Sequence, residues 1–278
     1  MRSWFPTSSP SPPQLEADIP LAHLQRLLEA VGAVDGQTTL TIGGDALVAT
    51  SVDDPPVTAV EATLHKSHCQ YFEAASGSIS LDPERLVDVL AAERNSDELA
   101  QLRYDPEAST LRLSLSSFVH TQPVANDAAV ENPEIDSSPN TVTTYHTRDD
   151  LAHALQYFTE HAAVVAFGYD ASEDACYLEE ITTSNAAAAG TTRYHCPREH
   201  RASSVPSESV RAAFATAKLR ALVEAVPPET IVRADYAEAF PLRLSWGLTG
   251  GDGIDQGTLT KVTTLLAPYE APANRKED

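Results

Sequence analysis

A chain of 278 residues that is 42% hydrophobic, with 40 acidic against 19 basic side chains and a net charge of −21, is long enough for two ordinary domains with real cores. The acidity excludes a general nucleic-acid glue or a binder of anionic membranes, and it points to strong salt, where screening shortens to about 3 Å at 1 M. Three cysteines at irregular spacing imply no disulfide framework, and neither a membrane-spanning run nor a signal-peptide layout is visible, so the expected home is a prokaryotic, high-salt cytoplasm.

Residues 1–18, rich in serine and proline, read as a flexible tail. From Pro20 the pattern turns helical: Leu21, Leu24, Leu27, Leu28 and Val31 share one face, Arg26 lies opposite, and Gly32 marks the end. Strand-like pieces follow at Thr38 to Ile42, Leu47 to Val52 and Val57 to Leu64, divided by Gly43-Gly44-Asp45 and Asp53-Asp54-Pro55-Pro56. Ile79 to Leu81 leads into a second helix opened by Asp82-Pro83, with proline at a favourable first-turn position. Leu99 to Tyr104 and Thr110 to Ser116 then make a hairpin. Residues 119–140, with Pro123, Pro133 and Pro139 and no sustained period, read as a connector with isolated apolar points at Val124, Val130 and Ile135.

Past the connector, Thr141 to His146 is a strand, and Thr147-Arg-Asp-Asp150 resembles a capping box for a helix carrying Leu151, Leu155 and Phe158. Ala163 to Tyr169, Ala175 to Ile181 and Thr191 to Cys196 are further strands. A last helix is predicted over Ser209 to Val226, before Pro227-Pro228. Ile231 to Asp235, Phe240 to Trp246 and Thr258 to Leu266 complete the chain, the last two joined by a glycine-rich turn over 247–257. Leu111-Arg-Leu-Ser114 recurs as Leu242-Arg-Leu-Ser245, each after a helical stripe (Leu86, Val89, Leu90 and Leu219, Leu222, Val223) at nearly the same spacing. That recurrence predicts an internal duplication, two similar α+β domains of antiparallel sheets with two helices each. The predicted layout is a tail over 1–18, domains over 19–118 and 141–269 around a connector over 119–140, and a second tail over 270–278.

In the order of its segments the chain resembles the sliding clamps of archaeal and eukaryotic replication, the proliferating-cell-nuclear-antigen family, in its haloarchaeal branch. The residues that carry the resemblance are Ser51-Val-Asp-Asp-Pro-Pro-Val-Thr-Ala-Val-Glu-Ala-Thr-Leu64, Glu131-Asn-Pro-Glu-Ile135, Leu222-Val-Glu-Ala-Val-Pro227, Phe240-Pro-Leu-Arg-Leu244 and Leu265-Leu-Ala-Pro268. The resemblance implies a homotrimeric ring, strands outside and helices within, through which duplex DNA passes. Its role would be to tether DNA polymerase and other clamp-binding proteins after a clamp loader has placed it, without catalytic residues or a cofactor. Carried over by position, the partner-binding groove would comprise Val52, Ala59, Val130, Ile135, Pro241, Leu265, Ala267 and Pro268. The DNA-facing residues would be Arg26, Arg148, His153, Lys218 and Arg220. Asp88 and Glu224 stand where the family often presents lysine, and Tyr269 follows the terminal Leu-Ala-Pro, so a divergent clamp-like scaffold, or a subunit of a mixed ring without DNA loading, is the alternative.

Two other classes are weighed beside it. His65, His68 and Cys69, and again His195, Cys196 and His200, are ligand types that zinc accepts, but their spacings match no standard zinc pattern. No phosphate-cradling glycine loop or nucleophile elbow occurs, and acidic pairs such as Asp53-Asp54 and Asp149-Asp150 follow from the overall acidity.

Overall fold

The structure is a computed structural model, and it describes residues 14–53, 57–93, 98–125, 141–159, 162–181, 192–197, 206–248 and 260–269. Leu15, Ala17 and Ile19 turn inward and alternate with Glu16 and Asp18, which makes β1 (Leu15–Pro20) a one-sided strand. It runs straight into α1 (Leu21–Gly32), whose buried face is the predicted leucine stripe. A meander follows, β2 (Gly36–Ile42), β3 (Ala46–Asp53) and β4 (Thr58–His65). β5 (Tyr71–Ala74) returns to the side of β1, and β6 (Gly77–Leu81) pairs with β2. α2 (Pro83–Ala91) starts as Asp82-Pro83 dictates, the Asp82 carboxylate accepting the Arg85 N–H at 3.1 Å. β7 (Leu99–Asp105), β8 (Thr110–Ser114) and β9 (Val119–Pro123) then extend the sheet from β1.

The second half repeats the plan. β10 (Val142–Thr147) leads into α3 (Arg148–Thr159), where Thr147 Oγ1 accepts the Asp150 N–H at 3.0 Å and donates to its carboxylate at 2.7 Å, a reciprocal cap. β11 (Val164–Asp170), β12 (Ala175–Ile181), β13 (Arg193–His195) and β14 (Val210–Ala215) form a sheet in the order β13-β12-β11-β14. α4 (Thr216–Glu224) follows β14, and β15 (Ile231–Tyr236), β16 (Leu242–Gly247) and β17 (Lys261–Leu266) build out from β10.

The duplication is therefore one of topology. The path β1-β7-β8-β9 in the first half matches β10-β15-β16-β17 in the second, and β6-β2-β3-β4 matches β14-β11-β12-β13. Each half has one helix after its first strand and one before its last three, and the paired helices pack together, α1 with α2 and α3 with α4. The α+β class and, among the described residues, two α-helices per half are as the sequence predicts. The halves are joined by β17 pairing antiparallel with β4, Leu265 opposite Ala59, which fuses four strands from each into one eight-stranded sheet. Among the described residues, the strands that correspond to β17 and β4 in the other half, β9 and β13, end their sheets with one side unpaired.

Four sequence expectations change. β1 begins at Leu15, inside the stretch expected as tail, because its inward residues cover the core below β7. β9 occupies the start of the expected connector, with Gln122 its only buried residue, so almost no alternation marks it. β5 pairs with β1 where no element was expected. The last helix starts at Thr216 rather than Ser209: Val210, Ala212 and Phe214 alternate inward as β14 and pair with β11. Pairing with the apolar β11 overrides the helix preference of an alanine-rich run.

Candidate DNA-facing helices and docking groove

The apolar stripes of the four helices face the sheets, which leaves their polar faces as one exposed layer. Arg26, Arg85, Arg148, Lys218 and Arg220 are its cations, and Glu29, Glu84, Asp88, Asp149, Asp150 and Glu224 its acids. For a chain of net charge −21 this layer is close to neutral. The expected DNA-facing cations are also engaged within the protein. Arg26 Nη1 reaches the Leu248 carbonyl at 3.5 Å, Arg148 pairs with Asp149 at 3.1 Å, and Arg220 pairs with Glu224 one turn on at 2.6 Å. Lys218 Nζ lies 3.0 Å from Asp53, an ion pair between α4 of the second half and the end of β3 in the first. His153 is exposed on α3, and Tyr157, one turn further along the same face, is 60% exposed.

Asp53 does more than hold Lys218. Its Oδ1 accepts the N–H groups of Val57 and Thr58, both at 2.7 Å, which ties the end of β3 to the start of β4. Burial alone would push its carboxyl up, but the two amides and the Lys218 ammonium outweigh it and hold the group below the usual carboxylate range.

Of the expected groove residues, Val52, Ala59 and Leu265 share the face of the eight-stranded sheet away from the core cluster, with Ala59 and Leu265 buried at 4% and 6% exposure. Val52 lies opposite Ala59, and Ala59 opposite Leu265, so the three form one row across β3, β4 and β17. None of the three belongs to the core cluster. The Ala267 N–H donates to the Val57 carbonyl at 2.7 Å, which extends the row by one apolar pair, and Pro241 and Pro268 are half-buried. Phe240, Val57 and Tyr269 add exposed apolar surface that the expected groove did not include; the signal was their closeness in sequence to Pro241, Ala59 and Pro268. The Tyr269 N–H then bonds the Ala213 carbonyl at 2.7 Å, so the chain after β17 runs along the edge of β14. Val130 and Ile135 lie outside the described residues.

The zinc-type clusters do not converge. His65 Nδ1 is bonded to Ser67 Oγ at 2.8 Å, His68 packs edge-on against His23, and His195 and Cys196 are consecutive residues at the end of an extended strand, so their side chains diverge. Among the described residues no group of three His, Cys, Asp or Glu side chains is placed to hold a metal. His200 is outside them.

The chain is 23% identical over 249 residues to the DNA polymerase sliding clamp of Haloarcula marismortui, covering 88% of this chain and 94% of that one. It is 24% identical over 245 residues to that of Natronomonas pharaonis, covering 87% and 92%. A solved structure of the C-terminal region of FEN-1 bound to A. fulgidus PCNA matches with a TM-score of 0.75 at 16% identity, over 93% of this chain and 100% of that one. PCNA from Thermococcus kodakaraensis matches equally well, over 92% and 100%. The chain has the sliding-clamp fold. The resemblance read from its segments stands at the level of the fold, and the two relatives, both haloarchaeal, are similar to the chain at low identity. No family model matches the chain. No helix among the described residues of the chain is long and apolar enough to cross a membrane.

Proposed function

We propose that the chain is a DNA sliding clamp, a processivity factor whose copies close head to tail into a ring around duplex DNA. The observation that carries this reading is the duplicated topology with its joint made only once. Within the chain, β17 of the second half pairs with β4 of the first, while among the described residues their counterparts β9 and β13 are left open. An open edge with Val119 58% exposed beside an exposed Phe118 is a surface that soluble proteins ordinarily cover. Repeating the same joint between copies, β9 of one against β13 of the next, covers both edges and is heterologous, so it generates a ring when the rotation closes. Three copies, giving a homotrimer of two domains per subunit linked through residues 126–140, follow from the resemblance.

The ring reading also accounts for the charge. Ordinary DNA affinity rests on neutralised phosphates and falls steeply with salt, whereas a closed ring holds DNA by topology and needs little affinity. A nearly neutral helix layer, with Arg26, Arg148, His153, Lys218 and Arg220 as its positive points, suits a bore that slides rather than grips. The outer row of Val52, Ala59 and Leu265 with Pro241, Ala267 and Pro268, completed by Val130 and Ile135, would seat the docking segments of DNA polymerase and other clamp-binding proteins. FEN-1 bound to A. fulgidus PCNA is the neighbouring example. The reading assigns no chemistry and no cofactor, requires a clamp loader, and places the protein in a high-salt prokaryotic cytoplasm.

The test is retention on DNA after loading in molar KCl. A clamp stays on a nicked circular duplex through gel filtration, is lost when the circle is cut once, and stimulates its cognate polymerase on a primed template. Equal retention on circular and linear DNA, or none on either, contradicts the proposal.

A further inference from the structure

On β12 and β13 the register sets Tyr177 opposite His195, and one step outward the Cys196 N–H donates to the Cys176 carbonyl at 2.9 Å. Cys176 and Cys196 are therefore a directly opposed, hydrogen-bonded cross-strand pair. Such pairs hold their Cα atoms about 5.5 Å apart, within the roughly 4.4–6.8 Å that a disulfide spans. Opposed residues share a face of the sheet, and here it is the inner one: Cys176 is part of the core and Cys196 packs against it. Neither cysteine is part of a disulfide.

We propose that Cys176 and Cys196 are a redox modification site, converted by an oxidant of the small-disulfide class into an intrachain bridge that ties the edge strand β13 to β12. One thiol loses its proton and attacks a sulfur of the oxidant, expelling one thiolate and leaving a mixed disulfide. The second thiol, deprotonated in turn, attacks the protein sulfur of that mixed disulfide and expels the other thiolate. The S–S bond of the oxidant is exchanged for the Cys176–Cys196 bond, and the two protons end on the two released thiols. Two electrons pass from the cysteines to the oxidant.

The surroundings set when this happens. Burial pushes the Cys196 thiol up to about 12, with Cys176 adding to it, so Cys196 stays protonated and slow to react while β13 is docked. But β13 is only three residues long and ends its sheet, so it belongs to the part of the fold that opens most easily. Transient opening hydrates Cys196 and lets it ionise, and oxidation then fastens the strand. The bridge does not require the clamp reading, but in the proposed ring the neighbouring copy's β9 covers β13, so oxidation is expected of chains outside the ring. Cys69, in the first half, has no thiol neighbour in the register and serves as an internal control.

The test treats the full-length chain in molar KCl, diluted until it is a single chain, with oxidised glutathione and maps its peptides without reduction. The expected product is one peptide pair containing Cys176 and Cys196, lighter by two hydrogen atoms, reversed by a reductant and formed equally by Cys69→Ser. Cys196→Ser is expected to abolish it. Recovery of only mixed disulfides, of cross-links that include Cys69, or of three unmodified thiols in the wild type overturns the proposal.

Discussion

Asp53 shows how much one carboxylate can organise. It closes the β3–β4 connection through two backbone amides and holds Lys218 from the other half. Asp53→Ala leaves the Thr58 amide buried and unpaired, at an expected loss of about 2–3 kcal/mol, while Asp53→Asn, which can still accept from the amides, costs about 1 kcal/mol or less because Lys218 rehydrates. Denaturant titrations in molar KCl check both. The Asp53 carboxyl is depressed in the fold, so its contribution is present above the unfolded value near 3.8 and lost as pH falls through the lower folded value. His23 has the opposite chemistry but the same sign of slope. Burial lowers its pKa below 6.5, and the neighbouring His68 and Arg26 lower it further despite a bond to the His68 backbone. Its Nδ1 is buried without a partner. Below about pH 6.5 the unfolded chain binds a proton that the fold resists, so stability drops as the pH is lowered from 7 into that window. His23→Gln is expected to flatten that part of a stability-against-pH curve; an unchanged slope would assign it to another group.

At the scale of elements, β13 is fastened from its outer side by a small network. Glu179, nearly buried on β12, accepts Arg193 of β13 at 3.1 Å and Arg211 of β14 at 3.0 Å, and the Arg193 guanidinium sits 3.9 Å above the Tyr177 ring. Gly168 on the intervening β11 makes room for that ring, since a Cβ there would lie 2.1 Å from it. Gly168→Ala must displace Tyr177 and is expected to cost about 1–3 kcal/mol. Glu179→Gln breaks the charge pairing and is expected to speed amide exchange in β13 before it changes β11. Both effects are read by native-state hydrogen exchange. Elements with a strong period were legible in the sequence, as the stripe of α1, the Asp-Pro start of α2 and the cap of α3 show. β14 was not, because its alanines favour helix and only pairing with β11 decides otherwise; β5 and β9 are short sheet edges with few buried residues to write a pattern. The groove row became legible only through the family resemblance. No local pattern marks Val52, Ala59 and Leu265, more than two hundred residues apart at the extremes, as one surface, and only the β4–β17 seam brings them together.

For the whole molecule, the sequence recurrence at Leu111 and Leu242 proved to mark β8 and β16, corresponding strands of two halves with one topology. The charge distribution follows the same division, with the helix layer near neutrality and the bulk of the acidity elsewhere on the chain. At low ionic strength the repulsion among subunits of net charge −21 is unscreened, so the proposed ring is expected to weaken on dilution from molar salt, the reverse of ordinary ionic assemblies. The most direct test of the central claim is the solution mass of the full-length chain in molar KCl at micromolar concentration, by sedimentation equilibrium. A closed ring of three predicts three times the 29.8 kDa chain mass, falling toward one chain mass when Val119 on the open β9 edge is replaced by lysine. A wild-type protein that remains a single chain under those conditions would contradict the account.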